Sequence, residues 1–341
     1  MGSWVEEFGV EEFRPHRWLG AAHVQTLVGN VMRSDAGVSF RRERLETADG
    51  DFIDLDFADV AGYEWAKLGE NAPIVLVIHG LEGSARRGYM NETYRQVARR
   101  GMRPVGMNLR SCSGEINRLA GSYHAGATGD ISFVVMHLLA QFPQVTFGVV
   151  GFSLGGNMTL KYLGEQGEAL PERVRVGAAV SPPMQMVKGI RALNEFPGML
   201  YGRYFLRNLK RKTRQKETIL PDNINLEAVL KSRTLQEFDE YATAPLFGFE
   251  GALDYYRQCS CAQFLGGVAR PTLILRSKDD PVIHHEDIPA AETFTGRPCL
   301  KVVVTERGGH VGFIEQGMTF WAERQVARFM ERGLVVEENR S

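Results

Sequence analysis

The sequence has few cysteines, no long apolar run and no excess of charge of either sign. Its 341 residues include four cysteines that form no Cys-x-x-Cys pair and no zinc-like spacing: Cys112, Cys259, Cys261 and Cys299. In a chain of this size we expect free thiols in a reducing compartment, not a disulfide framework. No run of about 18 or more apolar residues occurs, so we expect no membrane-spanning helix.

Acidic and basic side chains are almost balanced. The chain carries 40 Lys and Arg against 41 Asp and Glu, which gives a net charge of −1. That balance provides no general attraction to nucleic acid or to an anionic membrane. The first residues also lack a basic stretch followed by an apolar one, so no signal peptide is visible. We therefore expect a cytoplasmic protein with no nucleic-acid partner.

Apolar runs alternate with amphipathic stretches along most of the chain. Residues 38–47 and 51–58 alternate in polarity around a turn and predict an antiparallel hairpin. The strands predicted after this hairpin are 74–79, 103–109, 145–150, 174–180, 271–276 and 300–305. The predicted helices are 86–100, 128–141, 155–166, 286–294 and 315–332. This order predicts one α/β domain over 1–341, with a mainly parallel sheet between two layers of helices.

The alternation stops between Ser181 and Gly267. This stretch is helical in character and contains five prolines. An insertion between two core strands, at the carboxyl edge of a sheet, is well placed to cover a site there. We therefore predict a helical cap over 181–267 and no separate second domain. Its apolar residues, among them Met184, Met186 and Leu193, suit either the wall of an apolar pocket or the packing within the cap.

One segment of the predicted cap is strongly basic. Residues 203–216 contain seven Lys and Arg and no acid, interleaved with aromatic and aliphatic side chains. Two interpretations are open. A basic amphipathic helix can make peripheral contact with an anionic lipid surface, and the same pattern is typical of a solvated helix face.

A serine lies at the centre of Gly151-Phe152-Ser153-Leu154-Gly155. The predicted strand comes directly before this pentapeptide, and a helical pattern follows it. A serine in such a sharp turn exposes its hydroxyl, and the next amide points to where an oxyanion would form. The flanking glycines suit a turn that leaves no room for Cβ atoms. The pentapeptide alone is common, but its position between strand and helix predicts that Ser153 is a nucleophile.

A serine hydroxyl needs a base, because it is far too weakly acidic to lose its proton at neutral pH. His310 is the candidate, since it follows the last predicted strand. Glycines at 308, 309 and 312 surround it and let the loop turn the ring towards the sheet. The other histidines lack this position after a terminal core strand. We therefore predict that His310 is the base.

The base in turn needs a carboxylate that fixes its tautomer and stabilises the imidazolium. Two adjacent aspartates, Asp279 and Asp280, follow the predicted strand 271–276. The order serine, aspartate, histidine along the chain is one of the known orders for such a triad. Because Pro281 disfavours helix at the residue before it, we favour Asp280 as the acid. Asp279 is the alternative, and its other role would be to cap the loop.

The reaction also requires donors for the oxyanion. His79-Gly80-Leu81-Glu82-Gly83 comes just after the strand 74–79. A loop in this position supplies one donor amide, and the residue after the nucleophile supplies the other. We predict the backbone amides of Leu81 and Leu154 as the two donors. The alternative is that this pattern only ends a strand.

Two longer motifs carry a family resemblance. The first is Arg14-Pro15, Trp18-Leu19 and His23-Val24-Gln25-Thr26-Leu27, and the second runs from Asn108 to Arg118 with Ser122-Tyr123-His124. With these motifs and the triad positions, the chain resembles α/β-hydrolases of the YheT-like branch, which are related to eukaryotic abhydrolase-domain proteins. Ser111 stands where glycine is expected in the second motif, so we expect a slightly different turn there.

The resemblance implies the α/β-hydrolase fold and the cleavage of carboxylic esters, including phospholipids or acylglycerols. It also implies a second reaction on the same residues, the transfer of the acyl group to an alcohol. A catalytically silent lipid-binding protein is a third interpretation. The mechanism needs no cofactor and no metal. His284-His285-Glu286-Asp287 only superficially resembles a metal cluster, because adjacent residues on a helix point apart. The expected partner is a small-molecule ester or lipid, and the oligomeric state is not predicted.

Overall fold

A computed structural model describes residues 3–335 of the chain. Within that range, eight strands form one sheet in the order β1-β2-β4-β3-β5-β6-β7-β8. The strands are β1 (Val38–Glu46), β2 (Phe52–Val60), β3 (Ile74–Ile78), β4 (Arg103–Asn108), β5 (Phe147–Phe152), β6 (Val174–Val180), β7 (Thr272–Ser277) and β8 (Leu300–Thr305). The ends of the predicted domain, residues 1–2 and 336–341, lie outside the described residues.

The sheet is mainly parallel, as predicted. The hairpin strands β1 and β2 are antiparallel, and β2 is also antiparallel to β4. The pairings from β4 through β3, β5, β6 and β7 to β8 are all parallel. Because parallel strands share one direction, the carboxyl ends of β3, β5, β6, β7 and β8 meet at a single edge. The residues of the candidate site follow these ends.

Helices cover both faces of the sheet. The α-helices within residues 3–335 are α1 (Ser3–Glu7), α2 (Ala22–Met32), α3 (Gly88–Ala98), α4 (Thr128–Gln141), α5 (Leu154–Gln166), α6 (Met186–Gly189), α7 (Met199–Gln215), α8 (Leu226–Lys231), α9 (Leu235–Phe238), α10 (Ala244–Phe247), α11 (Ala252–Cys259) and α12 (Trp321–Leu334). Among the described residues, no helix is both long and apolar enough to cross a lipid bilayer.

Strand β3 shows why the sheet is buried on both faces. Its five residues are all aliphatic, and successive side chains point to opposite faces. Val75 and Val77 pack with α3 and α12, whereas Ile74, Leu76 and Ile78 pack with α4 and α5. Each fully buried aliphatic side chain of this size contributes about 1.5–3 kcal/mol. The core therefore holds the carboxyl ends of the strands in fixed positions.

Two helix predictions near the C-terminus were wrong in type or in bounds. Residues 286–294 do not form one helix but two 3₁₀ turns, His285–Asp287 and Ala291–Phe294. Pro289 lies between the turns and has no N–H to donate to a helix. The last helix begins at Trp321 and not at residue 315, because Gly317 and Met318 have φ values of 81° and 62°. These left-handed residues form a turn in which the amide of Glu315 donates to the carbonyl of Thr319 at 2.9 Å.

Residues 181–267 lie between β6 and β7 and contain helices but no strand of the described sheet. They include α6 to α11, several 3₁₀ turns and a π-helical turn at Asp239–Thr243. Their own apolar cluster includes Leu206, Val229 and Phe238. This cluster packs against Leu81, which belongs to the loop after β3. The helical segment therefore lies over the carboxyl edge of the sheet.

Candidate active site

Ser153 occupies a strained turn between β5 and α5. Its φ of 52° and ψ of −122° lie outside the regions that L-residues ordinarily adopt. Two neighbouring glycines allow this turn. A Cβ on Gly155 would lie 2.5 Å from the carbonyl oxygens of Ile78 and His79, and a Cβ on Gly151 would overlap the backbone of Gly155. The turn therefore requires both glycines, and it projects the serine hydroxyl from the edge of the sheet.

The structure brings the three predicted side chains together. The Nε2 of His310 lies 2.9 Å from Ser153 Oγ, and its Nδ1 lies 2.8 Å from Asp280 Oδ2. Because the carboxylate can only accept, Nδ1 carries the proton and Nε2 is free to accept the serine proton. The side chain of Asp280 is fully buried, and that of His310 is nearly so.

Local contacts keep Asp280 ionised although it is buried. Burial alone would raise its pKa, but the positive charge of His310, its hydrogen bond and Arg276 together hold the pKa below the ordinary value. Its second oxygen, Oδ1, accepts hydrogen bonds from the amides of Val282 and Ile283 at 2.8 and 3.0 Å. The carboxylate is therefore fixed at both oxygens and presents one of them to the histidine.

The neighbouring Asp279 does not contact the histidine ring. Its Oδ1 accepts a hydrogen bond from the amide of Gly309 at 2.9 Å, which ties the loop after β7 to the loop after β8. Burial raises the pKa of Asp279 above its ordinary value. Of the two aspartates, Asp280 is therefore the one placed to orient His310, and Asp279 holds the loop.

The N-terminal motif lies beneath the histidine loop. Thr26 of α2 accepts a hydrogen bond from the amide of His310 at 2.9 Å. Gln25 accepts from the amide of Ile314 at 2.6 Å and donates to its carbonyl at 3.1 Å. Arg33, which follows α2 and lies outside the motif, donates to the carbonyls of residues 311 and 312 at 2.8 and 2.9 Å. The sequence contains this motif, but it did not indicate the contacts of the motif with the histidine loop. The motif itself was the only sequence signal for a role of these residues.

The predicted oxyanion loop lies beside the serine. A Cβ on Gly80 would lie 2.9 Å from Ser153 Cβ, so the loop backbone directly approaches Ser153. Leu81 lines both cavities into which Ser153 opens, and Leu154 lines the smaller one. Within residues 3–335, neither of their amides donates a hydrogen bond to a backbone or side-chain acceptor. Both amides are therefore free to donate to a ligand next to Ser153.

His79 supports this loop, a role that sequence reasoning missed. Its Nε2 accepts a hydrogen bond from the amide of Leu109 at 3.1 Å, so the proton is on Nδ1, which donates to the carbonyl of Gly80 at 2.7 Å. Complete burial lowers its pKa to about 4 and keeps the ring neutral. The amide of Gly80 donates to the hydroxyl of Tyr89 at 3.0 Å. The ring therefore links the ends of β3 and β4.

A buried polar cluster connects the oxyanion loop to the helical segment above it. The carboxylate of Glu82 accepts from Tyr123 Oη at 2.9 Å and from Lys212 Nζ of α7 at 2.8 Å. The amide of Glu82 donates to the same tyrosine oxygen at 2.9 Å. Lys212 also lies 3.3 Å from the thiol of Cys112. Burial raises the pKa of Cys112 to about 11, so this thiol stays protonated and is no second nucleophile.

The second family motif forms the other side of this cluster. Ser111 has a φ of 65°, a left-handed backbone conformation that glycine adopts more readily than serine. Its hydroxyl is hydrogen-bonded to the side chain of Asn117. Lys216, which follows α7, contacts Asn117 Oδ1 at 2.5 Å and Ser122 Oγ at 2.7 Å. The motif therefore fixes the C-terminal end of α7 to the core.

The stretch His284-His285-Glu286-Asp287 also has a structural role. Asp287 accepts hydrogen bonds from the amides of Met184 and Gln185 at 2.7 and 2.6 Å. Arg276, at the end of β7, lies 3.6 Å from both Asp287 and Asp280. The buried arginine therefore joins Asp280 to the residues that lead from β6 into the helical segment.

Two cavities open at Ser153. A small apolar cavity of about 100 Å³ is lined by Leu154, Met186, Ile190 and Phe205 as well as by the serine. A larger cavity of about 890 Å³ contains both Ser153 and His310 and reaches α2 and α7. The site therefore has one compartment suited to an apolar chain and a second, open one on the side of the histidine.

The comparisons with known proteins agree with this fold. A sequence model of the alpha/beta hydrolase fold matches residues 73–316. The Escherichia coli (strain K12) protein named "Putative esterase YheT" is 36% identical over 305 residues, 89% of this chain and 87% of that protein. The Homo sapiens protein named "Phospholipase ABHD3" is 29% identical over 306 residues, 89% of this chain and 74% of that protein.

Among solved structures, the esterase Pf2001 of Pyrococcus furiosus superposes with a TM-score of 0.53 and 16% identity, over 87% of this chain and 93% of that one. At this identity the likeness shows the fold alone. Fold, sequence and site together define a hydrolase of the esterase and lipase type. The chain belongs to the α/β-hydrolase family, in the branch that contains YheT and the eukaryotic abhydrolase-domain proteins.

Proposed function

We propose that the chain hydrolyses carboxylic esters through an acyl-enzyme on Ser153, with His310 as base and Asp280 as the acid that orients it. The observation that carries this proposal is the pair of hydrogen bonds from Ser153 to His310 at 2.9 Å and from His310 to Asp280 at 2.8 Å. A serine, an imidazole and a carboxylate in this order form the arrangement that activates a hydroxyl for attack.

In the first half of the reaction, Ser153 Oγ attacks the ester carbonyl carbon and its proton moves to His310 Nε2. The carbonyl oxygen becomes negatively charged, and the amides of Leu81 and Leu154 donate hydrogen bonds to it. Each such donor contributes about 3–4 kcal/mol to the transition state. His310 then gives its proton to the alcohol oxygen, the bond to that oxygen breaks, and the alcohol leaves.

In the second half, water takes the place of the alcohol. His310 accepts a proton from the water, whose oxygen attacks the acyl carbon, and then returns a proton to Ser153 Oγ as the acid leaves. Asp280 stabilises the imidazolium in both halves and stays ionised, consistent with its lowered pKa. An alcohol in place of the water would give acyl transfer on the same residues.

We place the acyl chain of the substrate in the apolar cavity beside Ser153, and residues 181–267 act as a cap over it. Met186, Ile190 and Phe205 of this segment line that cavity. An acyl ester or lipid therefore fits the site, and one relative is itself named a phospholipase. The exposed arginines 203, 207, 211 and 214 of α7 suit peripheral contact with an anionic membrane. Because all four cysteines are free, a cytoplasmic location is in keeping with the structure.

The test is hydrolysis of p-nitrophenyl esters from short to long acyl chains by the wild type and by Ser153→Ala. We expect the variant to fold and to lose on the order of 10⁴-fold or more in kcat, because the nucleophile is removed. Turnover at the wild-type rate by the variant would show that Ser153 is not the nucleophile. Analysis of products with added alcohol separates hydrolysis, which gives only acid, from acyl transfer, which also gives a new ester.

A further inference from the structure

Asp239 is the one charged residue among the described residues that line the apolar cavity beside Ser153. Leu235 lines the same cavity one helical turn earlier, so the two side chains lie on one face of this part of the segment. Asp239 also begins the π-helical turn Asp239–Thr243, and turns of this kind are frequent at functional sites. A carboxylate in apolar surroundings is costly unless another group balances its charge.

Two hydroxyl groups hold this carboxylate but do not neutralise it. Its Oδ1 accepts from Thr243 and its Oδ2 accepts from Tyr256, both at 2.6 Å. A carboxylate has about four lone-pair positions, so about two of them stay open. Burial raises the pKa of Asp239 to about 6, and these two hydrogen bonds act against the rise. At pH 7.5 the group is therefore ionised and can still accept hydrogen bonds.

The buried carboxylates of residues 3–335 differ from Asp239 in having a counter-charge. Each has a basic side chain within ion-pair distance: Asp51, Asp54, Asp56, Glu82, Asp280, Asp287, Glu315 and Glu323. In the same part of the chain, no basic side chain pairs with Asp239. The apolar cavity therefore contains a negative charge that the fold itself does not balance.

Aromatic rings lie next to this charge. Phe205, Tyr255 and Tyr256 line the cavity, and the hydroxyl of Tyr256 is bonded to Asp239. The face of an aromatic ring attracts a cation, and an ammonium group has N–H donors for the open positions of the carboxylate. A neutral hydroxyl group would fill one of these positions but would not balance the charge. The lining therefore fits an ammonium group on an otherwise apolar chain.

We propose that the apolar cavity binds an acyl chain that carries a protonated amine, and that Asp239 pairs with this amine. The inference rests on the proposed esterase function and adds to it the chemical class of the acyl part, that of an ω-amino acid. The aliphatic side chains of the cavity contact the methylene groups, and the ammonium nitrogen donates to the carboxylate of Asp239.

The test compares ethyl esters that differ by an ammonium group in place of a terminal methyl group. Three pairs cover three chain lengths: 3-aminopropanoate with butanoate, 6-aminohexanoate with heptanoate, and 8-aminooctanoate with nonanoate. For each pair, the ratio of kcat/KM for the amino ester to that for the alkyl ester is measured at pH 7.5 in the wild type and in Asp239→Asn. The intrinsic reactivity of each ester is the same with both enzymes, so it cancels from the comparison.

We expect the ratio to fall about 10-fold or more in Asp239→Asn for the pair whose length reaches residue 239, because a charge-assisted hydrogen bond has this size. Asparagine keeps the shape of the side chain, and the hydroxyl groups of Thr243 and Tyr256 can accept as well as donate, so we expect the variant to fold. Asp222→Asn is the matched control, because Asp222 is an exposed aspartate of the same segment that lines neither cavity of Ser153. It keeps the wild-type ratios.

Two results overturn the proposal: ratios that Asp239→Asn leaves unchanged at every length, and wild-type ratios far below one at every length. Ethyl 6-hydroxyhexanoate tests a neutral donor in the same place. If the wild type prefers this ester to heptanoate, Asp239→Asn removes the preference and the amino esters have no advantage, the cavity binds a hydroxyl group and the amine assignment is wrong.

A binding measurement separates this inference from the proposed function. Isothermal titration of hexylammonium chloride into Ser153→Ala protein does not depend on catalysis, and 1-hexanol is the uncharged comparison. We expect hexylammonium binding to weaken about 10-fold or more when Asp239→Asn is added, and hexanol binding to change much less. Hexylammonium binding that this substitution does not weaken contradicts the site. Failure of the wild type to cleave any of the esters would count against the proposed function, and the titration would still decide the amine site.

Discussion

At the scale of single residues, two neighbouring aspartates illustrate how position decides role. Asp279 and Asp280 differ by one place in the chain, but only Asp280 reaches His310, at 2.8 Å. Asp279 instead accepts the amide of Gly309. Pro281 favours extended backbone at the residue before it, and this preference was the one sequence signal that distinguished the two.

The first prediction compares these aspartates. Asp280→Asn should lower kcat by roughly 10³–10⁴-fold, because an amide in this place favours the wrong tautomer of His310. Asp279→Asn keeps an oxygen for the amide of Gly309 and should change kcat by less than about 10-fold. Steady-state kinetics on one p-nitrophenyl ester measures both. Equal losses in the two variants would contradict the assignment of Asp280.

A second prediction concerns Asp239, which lines the apolar cavity. Its carboxylate accepts hydrogen bonds from Tyr256 and Thr243, both at 2.6 Å, but burial raises its pKa to about 6 from an ordinary value of 3.8. The folded protein thus binds this proton more tightly than the unfolded chain. The ionised group lowers stability at pH 7.5, and this loss disappears as the pH falls through about 6 towards 3.8.

Asp239→Asn should therefore be more stable than the wild type at pH 7.5, by roughly 1 kcal/mol. This difference in the free energy of unfolding should disappear as the pH is lowered to about 4, where the wild-type carboxyl is mostly protonated. Urea unfolding at the two pH values measures this change. The same difference in stability at both pH values would show that the ionised carboxylate of Asp239 does not cause it.

At the scale of elements, α7 has an exposed basic face and a lysine directed towards the core, and its sequence alone did not distinguish the two. Arg203, Arg207 and Arg214 are exposed, in keeping with either a solvated or a membrane-facing surface. Lys212, in contrast, is directed inwards to Glu82 in the oxyanion loop. Helical spacing separates inward from outward residues, but it does not show that a buried lysine has a carboxylate opposite it.

The third prediction follows from this contact. Lys212→Met leaves the buried carboxylate of Glu82 without its charged partner and with only the hydroxyl of Tyr123 as a side-chain donor, which costs about 3 kcal/mol of stability. Lys212 is a positioning residue, since it acts through the loop that carries the amide of Leu81. In the variant, kcat should therefore fall by a larger factor than KM rises.

Two further variants serve as controls for Lys212→Met. The double variant Lys212→Met/Glu82→Gln removes the unpaired charge and should recover most of the lost stability. Arg214→Met, on the exposed face of the same helix, should change neither kcat nor KM by more than about twofold, because exposed charges contribute little. If kcat stays at the wild-type value in Lys212→Met, the helix does not position the loop.

At the scale of the whole molecule, helix α2 contacts the loop after β8 that carries His310. Gln25 and Thr26 of α2 contact residues 314 and 310, which follow them by 289 and 284 positions. The family model matches residues 73–316, so α2 lies outside the part that defines the fold. Helix α2 therefore supports the loop that carries His310.

The fourth prediction tests this contact. Gln25→Leu leaves the buried amide of Ile314 without an acceptor, whereas the carbonyl of Ile314 keeps the amide of His16 as a donor. The unpaired amide should lower the free energy of unfolding by about 1–3 kcal/mol. Asn30→Leu, at an exposed position of the same helix, should change it by less than about 0.5 kcal/mol. Denaturant unfolding measures both. Equal effects would show that Gln25 does not anchor the histidine loop.

Local pattern was enough to predict the parallel sheet, the hairpin and the order of the elements, because each strand and helix shows its own periodicity. It also selected Ser153, Asp280 and His310, which follow the ends of core strands. It could not find the contacts of Gln25, Arg33 or Lys212, since these depend on residues far away in the chain. The helix predicted at 286–294 was wrong because the buried contact of Asp287 and the proline after it outweigh helical pattern there.

The central claim is that Ser153 is an activated nucleophile, and covalent labelling tests it most directly. The wild type is treated with a fluorophosphonate, and intact mass and peptide mapping locate the adduct. We predict one adduct per chain, on Ser153, and none on folded Ser153→Ala protein. A folded wild type that remains unlabelled, or an adduct at another residue that persists in Ser153→Ala, would contradict the claim.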